Sequence, residues 1–205
     1  MLAIRHRQEG VTLIELLVGI AILAILLSQA MPSFTAWIQN QQIRNGAEAI
    51  LNGLQLAKAK AVQSNINTEL ALIPAATDPT CANVAAATST TGSNWIVRTF
   101  QASGAYQCNP PAPTPSDFIQ GRSGEEGSRN ATIVADQGSF VFTPLGRLLN
   151  PPAADVKIRV DSASSYTDKR RMCVIVTTAG QILMCDPNRV DPTNPQFCPA
   201  NSCPP

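Results

Sequence analysis

Histidine is almost missing from this 205-residue chain: its single copy, His6, stands among the first ten residues. Everything downstream therefore lacks the imidazole of the common dyads and triads. No C-x-x-C pair occurs among the six cysteines, so a transition metal would need an unusual all-cysteine or cysteine/aspartate set. Charge is scarce too, at 14% of residues against about a quarter in an average soluble domain. The 15 basic side chains are balanced by 14 acidic ones, which argues against binding nucleic acid through bulk electrostatics. What the chain does have is 16 prolines, six cysteines and an apolar excess of 44%. The first two fit an oxidising compartment and a loop-rich body.

Much of the apolar excess lies early. Residues 11–31 read VTLIELLVGIAILAILLSQAM, where Glu15 is the only ionisable side chain and Thr12, Ser28 and Gln29 are the other polar ones. At 1.5 Å per residue the run covers about 30 Å, the thickness of a bilayer's hydrocarbon core. Arg5 and Arg7 precede it and no Lys or Arg follows until Arg44, so residues 1–10 are expected in the cytoplasm and the remainder outside. A secretory signal would have a shorter core ending in an A-x-A-like site. Glu15 is the anomaly, because a carboxylate in a bilayer is costly and needs a partner or a purpose.

The helical pattern continues beyond the membrane-length run. Phe34, Trp37, Ile38, Ile43, Ala47, Ile50, Leu54, Ala57 and Ala61 recur near the spacing of one helical face. One helix is predicted over residues 11–63, apolar all round over 11–32 and amphipathic over 33–63, with Pro32 kinking it. Short runs rich in β-branched residues at 69–73, 95–100, 131–134, 139–142, 155–160, 172–177 and 181–185 predict an antiparallel β head over 64–187. The loop 178–180 ends in glycine and suits a hairpin that sets Cys173 opposite Cys185, so a disulfide is expected there. Six cysteines allow fifteen pairings; proximity in sequence suggests Cys81 with Cys108 and Cys198 with Cys203. Ala/Thr/Ser-rich residues 75–93 and NPPAPTP at 109–115 read as loops, and 188–205 as a proline-rich tail.

Two local patterns carry little weight. GRSGEEG at 121–127 lacks the Lys-Ser/Thr pair of a phosphate loop. Asp186, Asn188, Asp191 and Asn194 could offer oxygens to calcium, but such residues interrupted by proline are ordinary turn formers.

Residues 10–34, GVTLIELLVGIAILAILLSQAMPSF, resemble the class III signal of type IV pilins and type II secretion pseudopilins: a short basic leader ending in Gly, then TLIEL and an apolar helix. The body adds GSFVFTPLGRLL at 138–149 and RRMCVIVTTAGQILMCDP at 170–187, which resemble FimT- and GspH-like minor pilins and pseudopilins. The resemblance implies an α+β, type IV pilin-like fold in which a long N-terminal helix packs on a disulfide-bonded antiparallel head. It implies cleavage by prepilin peptidase between Gly10 and Val11, with methylation of the new Val11 amine; the family usually has Phe at that place. It also implies that Glu15 neutralises a neighbouring subunit's N-terminal amine in the filament, and that Pro32 bends or melts on assembly.

Some FimT-like relatives bind DNA through a GRxR-like motif. The equivalent place here reads Gly180-Gln181-Ile182-Leu183, so both arginines are missing. The alternative DNA contacts are Lys169, Arg170 and Arg171, but the departure from the motif and the neutral net charge favour a solvated loop over DNA binding there. Loss of the leader would leave acids and bases equal in number. The expectation is a structural, non-enzymatic subunit without cofactor or metal. It would sit in the inner membrane with its head in the periplasm, contact the assembly platform, and join other major and minor pilins to prime a type IV pilus for motility or adhesion. DNA capture and a type II secretion pseudopilus are the alternatives.

Overall fold

Thr12 starts the long helix. Its backbone is extended and its Oγ1 accepts the Glu15 N–H at 3.3 Å, so the T-x-x-E of the TLIEL motif has the spacing of a capping box. The computed structural model describes residues 11–111, 114–166, 168–198 and 203, without the side chains of 29, 30 and 32. Gly10 and the rest of the leader lie outside the described residues. Helix α1 runs Leu13–Ser64 and ends at Asn65, whose positive φ of 56° suits an Asn C-terminal to a helix. It has two limbs, Leu13–Ser28 and Ser33–Ser64, bent by 44° across the stretch that contains Pro32. Among the described residues no single helix is long and apolar enough to cross a membrane, but the bent pair passes by length and composition.

The second limb builds the core. Ile43, Ala47, Ile50, Leu54, Ala57 and Ala61 are fully buried at alternating spacings of four and three, the stripe a helix needs to lie on sheets. Each large aliphatic buried in this way contributes about 2 kcal/mol. Gly53 marks the closest approach: a Cβ there would lie 2.7 Å from Leu70 Cδ1 and 3.2 Å from the Trp95 ring.

Among the described residues, eight strands form two four-stranded antiparallel sheets, not one. The first has the order β3 (Phe118–Arg122), β2 (Asn94–Thr99), β1 (Thr68–Ile73), β5 (Ser139–Phe142). The second has the order β4 (Ala131–Ala135), β6 (Val156–Ser162), β7 (Met172–Val176), β8 (Ile182–Cys185). Inner positions of both sheets, such as Leu70, Leu72, Val97, Ile158, Val160, Val174 and Val176, join the helix stripe in one core. Strand β3 was not expected. Only Phe118 and Ile119 in it are apolar, and it forms an edge of the first sheet on β2 with an irregular register.

Two expected disulfides are replaced. The hairpin does set Cys173 directly opposite Cys185, yet Cys173 bonds Cys203 and Cys185 bonds Cys198. Side chains of opposed residues stand side by side off a sheet, with Cβ atoms about 4.5–5.5 Å apart, wider than the usual 3.8 Å of a disulfide. The tail instead returns over this face. Asp186 and Phe197 form a parallel bridge, and the four cysteines close over Ile175 in a small apolar cluster. Cys198 and Cys203 are thus each drawn to the sheet and not to one another. The third bridge, Cys81 to Cys108, joins the two long loops over the other sheet.

Candidate functional site

From Val11 to Ile38 every large apolar side chain described is exposed, from Leu13 at 82% to Ile38 at 36%. Contiguous apolar patches on soluble monomers rarely exceed about 600 Å², so this limb is built for lipid or for other helices. Its apolar residues occupy all faces, as expected for a helix surrounded by hydrocarbon. Ser28 satisfies its hydroxyl on the Ile25 carbonyl at 2.7 Å, and Phe34 stacks on Trp37 with centroids 5.8 Å apart. Glu15 sits in the first turn, where a negative charge is favoured by the helix dipole. The structure therefore brings Val11, Glu15 and the apolar run together on one limb clear of the head.

The junction between limb and head is held by Asn40, a residue that no sequence motif marks. Its Nδ2 donates to the Asp168 carbonyl at 3.1 Å, while its Oδ1 accepts the Tyr166 hydroxyl and the Arg170 N–H, both at 2.9 Å. The loop before β7 is thereby tied to the helix just where it leaves the head. Beside this clamp lies an open groove of about 720 Å³, lined among others by Trp37, Arg44, Lys169, Arg170 and Arg189.

The basic triplet is only partly free. Lys169 Nζ pairs with Asp161 Oδ1 at 2.9 Å and Arg171 Nε with Asp161 Oδ2 at 3.2 Å. Partial burial opposes ionisation of Asp161, but hydrogen bonds from Lys169 and the Ser162 N–H and the charges of Lys169 and Arg171 outweigh it and hold its carboxyl below the ordinary value. Arg170 projects into solvent at the groove.

A second polar cluster lies on the outer face of the first sheet. Glu69 and Arg98 are opposed across β1 and β2, are 3% and 4% exposed, and pair at 2.7 Å. Glu69 also accepts from Tyr106 at 2.8 Å and from Ser139, while Arg98 donates to the carbonyls of Val84 and Ala86 and lies 3.8 Å over the Tyr106 ring. Burial first, then the Glu69 hydrogen bond and charge, push the Tyr106 hydroxyl up to about 12. Every strong acceptor here is occupied by a neighbour, so the cluster pins the loops to the sheet and does not present a reactive group.

The remaining sequence candidates resolve into turns. Gly121 and Arg122 end β3, and the turn that follows is held by the Gly124 N–H on Asn94 Oδ1 at 2.8 Å. Asp186, Asp191 and Asn194 each accept a backbone N–H two residues on, from Asn188, Thr193 and Gln196. Among the described residues no group of three His, Cys, Asp or Glu could hold a metal ion.

Two family descriptions match the chain: a prokaryotic N-terminal methylation motif over residues 5–28, and type II transport protein GspH over residues 46–180, more than half of the chain. No curated protein matches it. Among solved structures, the Pseudomonas aeruginosa type IV minor pilin FimU is 17% identical with a TM-score of 0.41, over 69% of this chain and 90% of that one. The minor pseudopilin EpsH from the type 2 secretion system of Vibrio cholerae is 10% identical with a TM-score of 0.45, over 72% and 99%.

Proposed function

The chain belongs to the type II transport protein GspH family, and we propose that it is a structural minor pilin that primes assembly of a type IV pilus. The observation that carries this is a single helix with two solvation regimes, bare and apolar to Ile38 and buried in the head from Ile43. The bare limb waits in the inner membrane with its head in the periplasm. On assembly it exchanges lipid for the limbs of other pilins, so its apolar surface stays dry throughout.

Prepilin peptidase cuts between Gly10 and Val11 and methylates Val11, placing an amine one helical turn from Glu15. In the filament the Glu15 carboxylate meets the corresponding amine of a neighbour, and the two charges remove one another's desolvation cost. The bend at residues 28–33 gives the limb a place to adjust its path between bilayer and filament. No catalytic step is part of this role, and Lys169 and Arg171, which share Asp161, leave the basic triplet only partly available for DNA capture. The family's description as a type II transport protein favours one second reading, a pseudopilin for protein export.

The test is a deletion strain complemented with the wild type or with Glu15→Ala. Deletion is expected to remove surface filaments while protein export continues, and Glu15→Ala to be cleaved but absent from sheared filaments. Export failing with filaments intact transfers the role to a pseudopilus. Incorporation of Glu15→Ala at the wild-type level refutes the pairing.

A further inference from the structure

The groove at the limb–head junction combines features that the filament role does not use. The exposed Phe34–Trp37 stack lies where the apolar limb ends. Along the first limb's direction, the path from Leu13 to Trp37 with its 44° bend spans roughly 32 Å at 1.5 Å per residue, close to the hydrocarbon thickness of about 30 Å. With Leu13 at the cytoplasmic edge, Trp37 therefore arrives at the outer headgroup level, where tryptophan is favoured. Arg44 stands about 10 Å further along the helix, and Lys169, Arg170 and Arg189 line the same groove. A surface potential acts over about 8–10 Å at physiological salt, so all four cations fall within or near its reach.

The residues lining the groove carry four cations against two carboxylates before the flanking Glu48 and Asp161 are counted. The two carboxylates are Asp168 and Asp186, the latter 5% exposed and 3.5 Å from Arg189 Nε. Arg44 shares its charge with Glu48 and Lys169 with Asp161 on the groove's flanks. Arg170 forms no ion pair among the described residues, and its backbone N–H is fixed by Asn40, so its exposed guanidinium is anchored at the groove and free to meet an anion there.

We propose that this groove seats the headgroups of anionic phospholipids, so that the head rests on the outer face of the inner membrane until the subunit is extracted into a filament. The phosphates lie between Arg44, Arg170 and Arg189, with the Trp37 ring at the glycerol level beneath them. This rests on residues 13–37 spanning the bilayer. Docking orients the head relative to its own limb and holds one face out of contact with other subunits before extraction.

The test reconstitutes the full chain in phosphatidylcholine vesicles with and without about 30% phosphatidylglycerol and follows amide hydrogen exchange at residues 168–171 and 186–190. Exchange at both segments is expected to slow only in the anionic vesicles and to return to the neutral-vesicle rate in high salt. Each cation removed should weaken docking about fivefold, so Arg170→Glu with Arg189→Glu should exchange alike in both lipids. Equal exchange of the wild type in the two lipids overturns the proposal, as does unchanged protection in the double variant. Protection by short duplex DNA but not by phosphatidylglycerol assigns the groove to nucleic acid and also overturns it. Resistance of the chain to carbonate extraction from both vesicles reads membrane insertion separately, so a failure of the spanning segment is distinguishable from a failure of docking.

Discussion

Replacing Arg98 by Ala should be the most damaging change of a charged residue in the head. The guanidinium is 4% exposed, pairs with a carboxylate that is 3% exposed, donates to two loop carbonyls and lies on the Tyr106 ring. Truncation leaves Glu69 buried with only the hydroxyls of Tyr106 and Ser139, and it strips Val84 and Ala86 of a donor. Breaking a buried pair from one side costs about 3–5 kcal/mol, a large share of a typical stability of about 5–15 kcal/mol. For a chain of this size the melting temperature should fall by roughly 6–20 °C.

The assay is thermal and urea unfolding of the full chain in detergent, carried through a double-mutant cycle. Arg98→Leu combined with Glu69→Leu removes both charges and leaves only two hydroxyls and two carbonyls short of partners, each costing about 1–3 kcal/mol if unsatisfied. Completed by the Arg98→Leu and Glu69→Leu single variants, the cycle should be non-additive: the double variant loses less than the sum of the two singles, each of which leaves the other charge buried and unpaired. A loss below about 1 kcal/mol for Arg98→Ala, the value of an exposed pair, refutes the account. So do additive losses in the cycle, because the damage would then not come from an uncompensated charge.

Tyr106 gives a pH signature of the same cluster. A hydroxyl raised from 10 to about 12 contributes stability that is complete below pH 10 and lost as pH rises through 12. In Tyr166→Phe, which leaves Tyr106 as the only tyrosine, absorbance near 295 nm should titrate late in the folded protein and near 10 after unfolding; a folded midpoint at 10 contradicts the buried cluster. The tail bridges make a third prediction. Cys203→Ser should lower stability by about 2–4 kcal/mol and leave Cys173 as one thiol that alkylates only after unfolding, while a peptide digest of the wild type that joins Cys173 to Cys185 would refute the pairing.

The long helix was legible because its second half repeats Ile, Ala and Leu at helical spacing, and its first half leaves no polar face at all. The β7–β8 hairpin and its register were legible from a glycine-ended loop between two β-branched runs. The partners of Cys173 and Cys185 were not, because they depend on a tail that turns back over the sheet through Asp186 and Phe197. Strand β3 was missed because only two of the five residues of FIQGR are apolar and its place is set by the edge of β2. The Glu69–Arg98 pair spans 29 residues and becomes visible only once β1 and β2 are set in register. Asn40 was hidden for a related reason: its three partners come from a loop more than 120 residues away.

Folding and assembly are written on different turns of the same helix. From Ile43 to Ala61 the buried stripe meets both sheets, so truncating Ile50 or Leu54 opens a cavity in the head and costs about 2–5 kcal/mol. Over residues 11–28 every side chain is exposed, so changes there leave the head's stability alone and act on what surrounds the limb. Glu15 lies near the far end of that limb, separated from Ile43 by 28 residues, or about 42 Å along the helix. A defect at Glu15 must therefore act through processing or through what surrounds the limb, whereas a defect at Ile50 must act through the fold. The two halves of the helix can therefore change independently, one setting the head's core and the other the surface presented beyond the head.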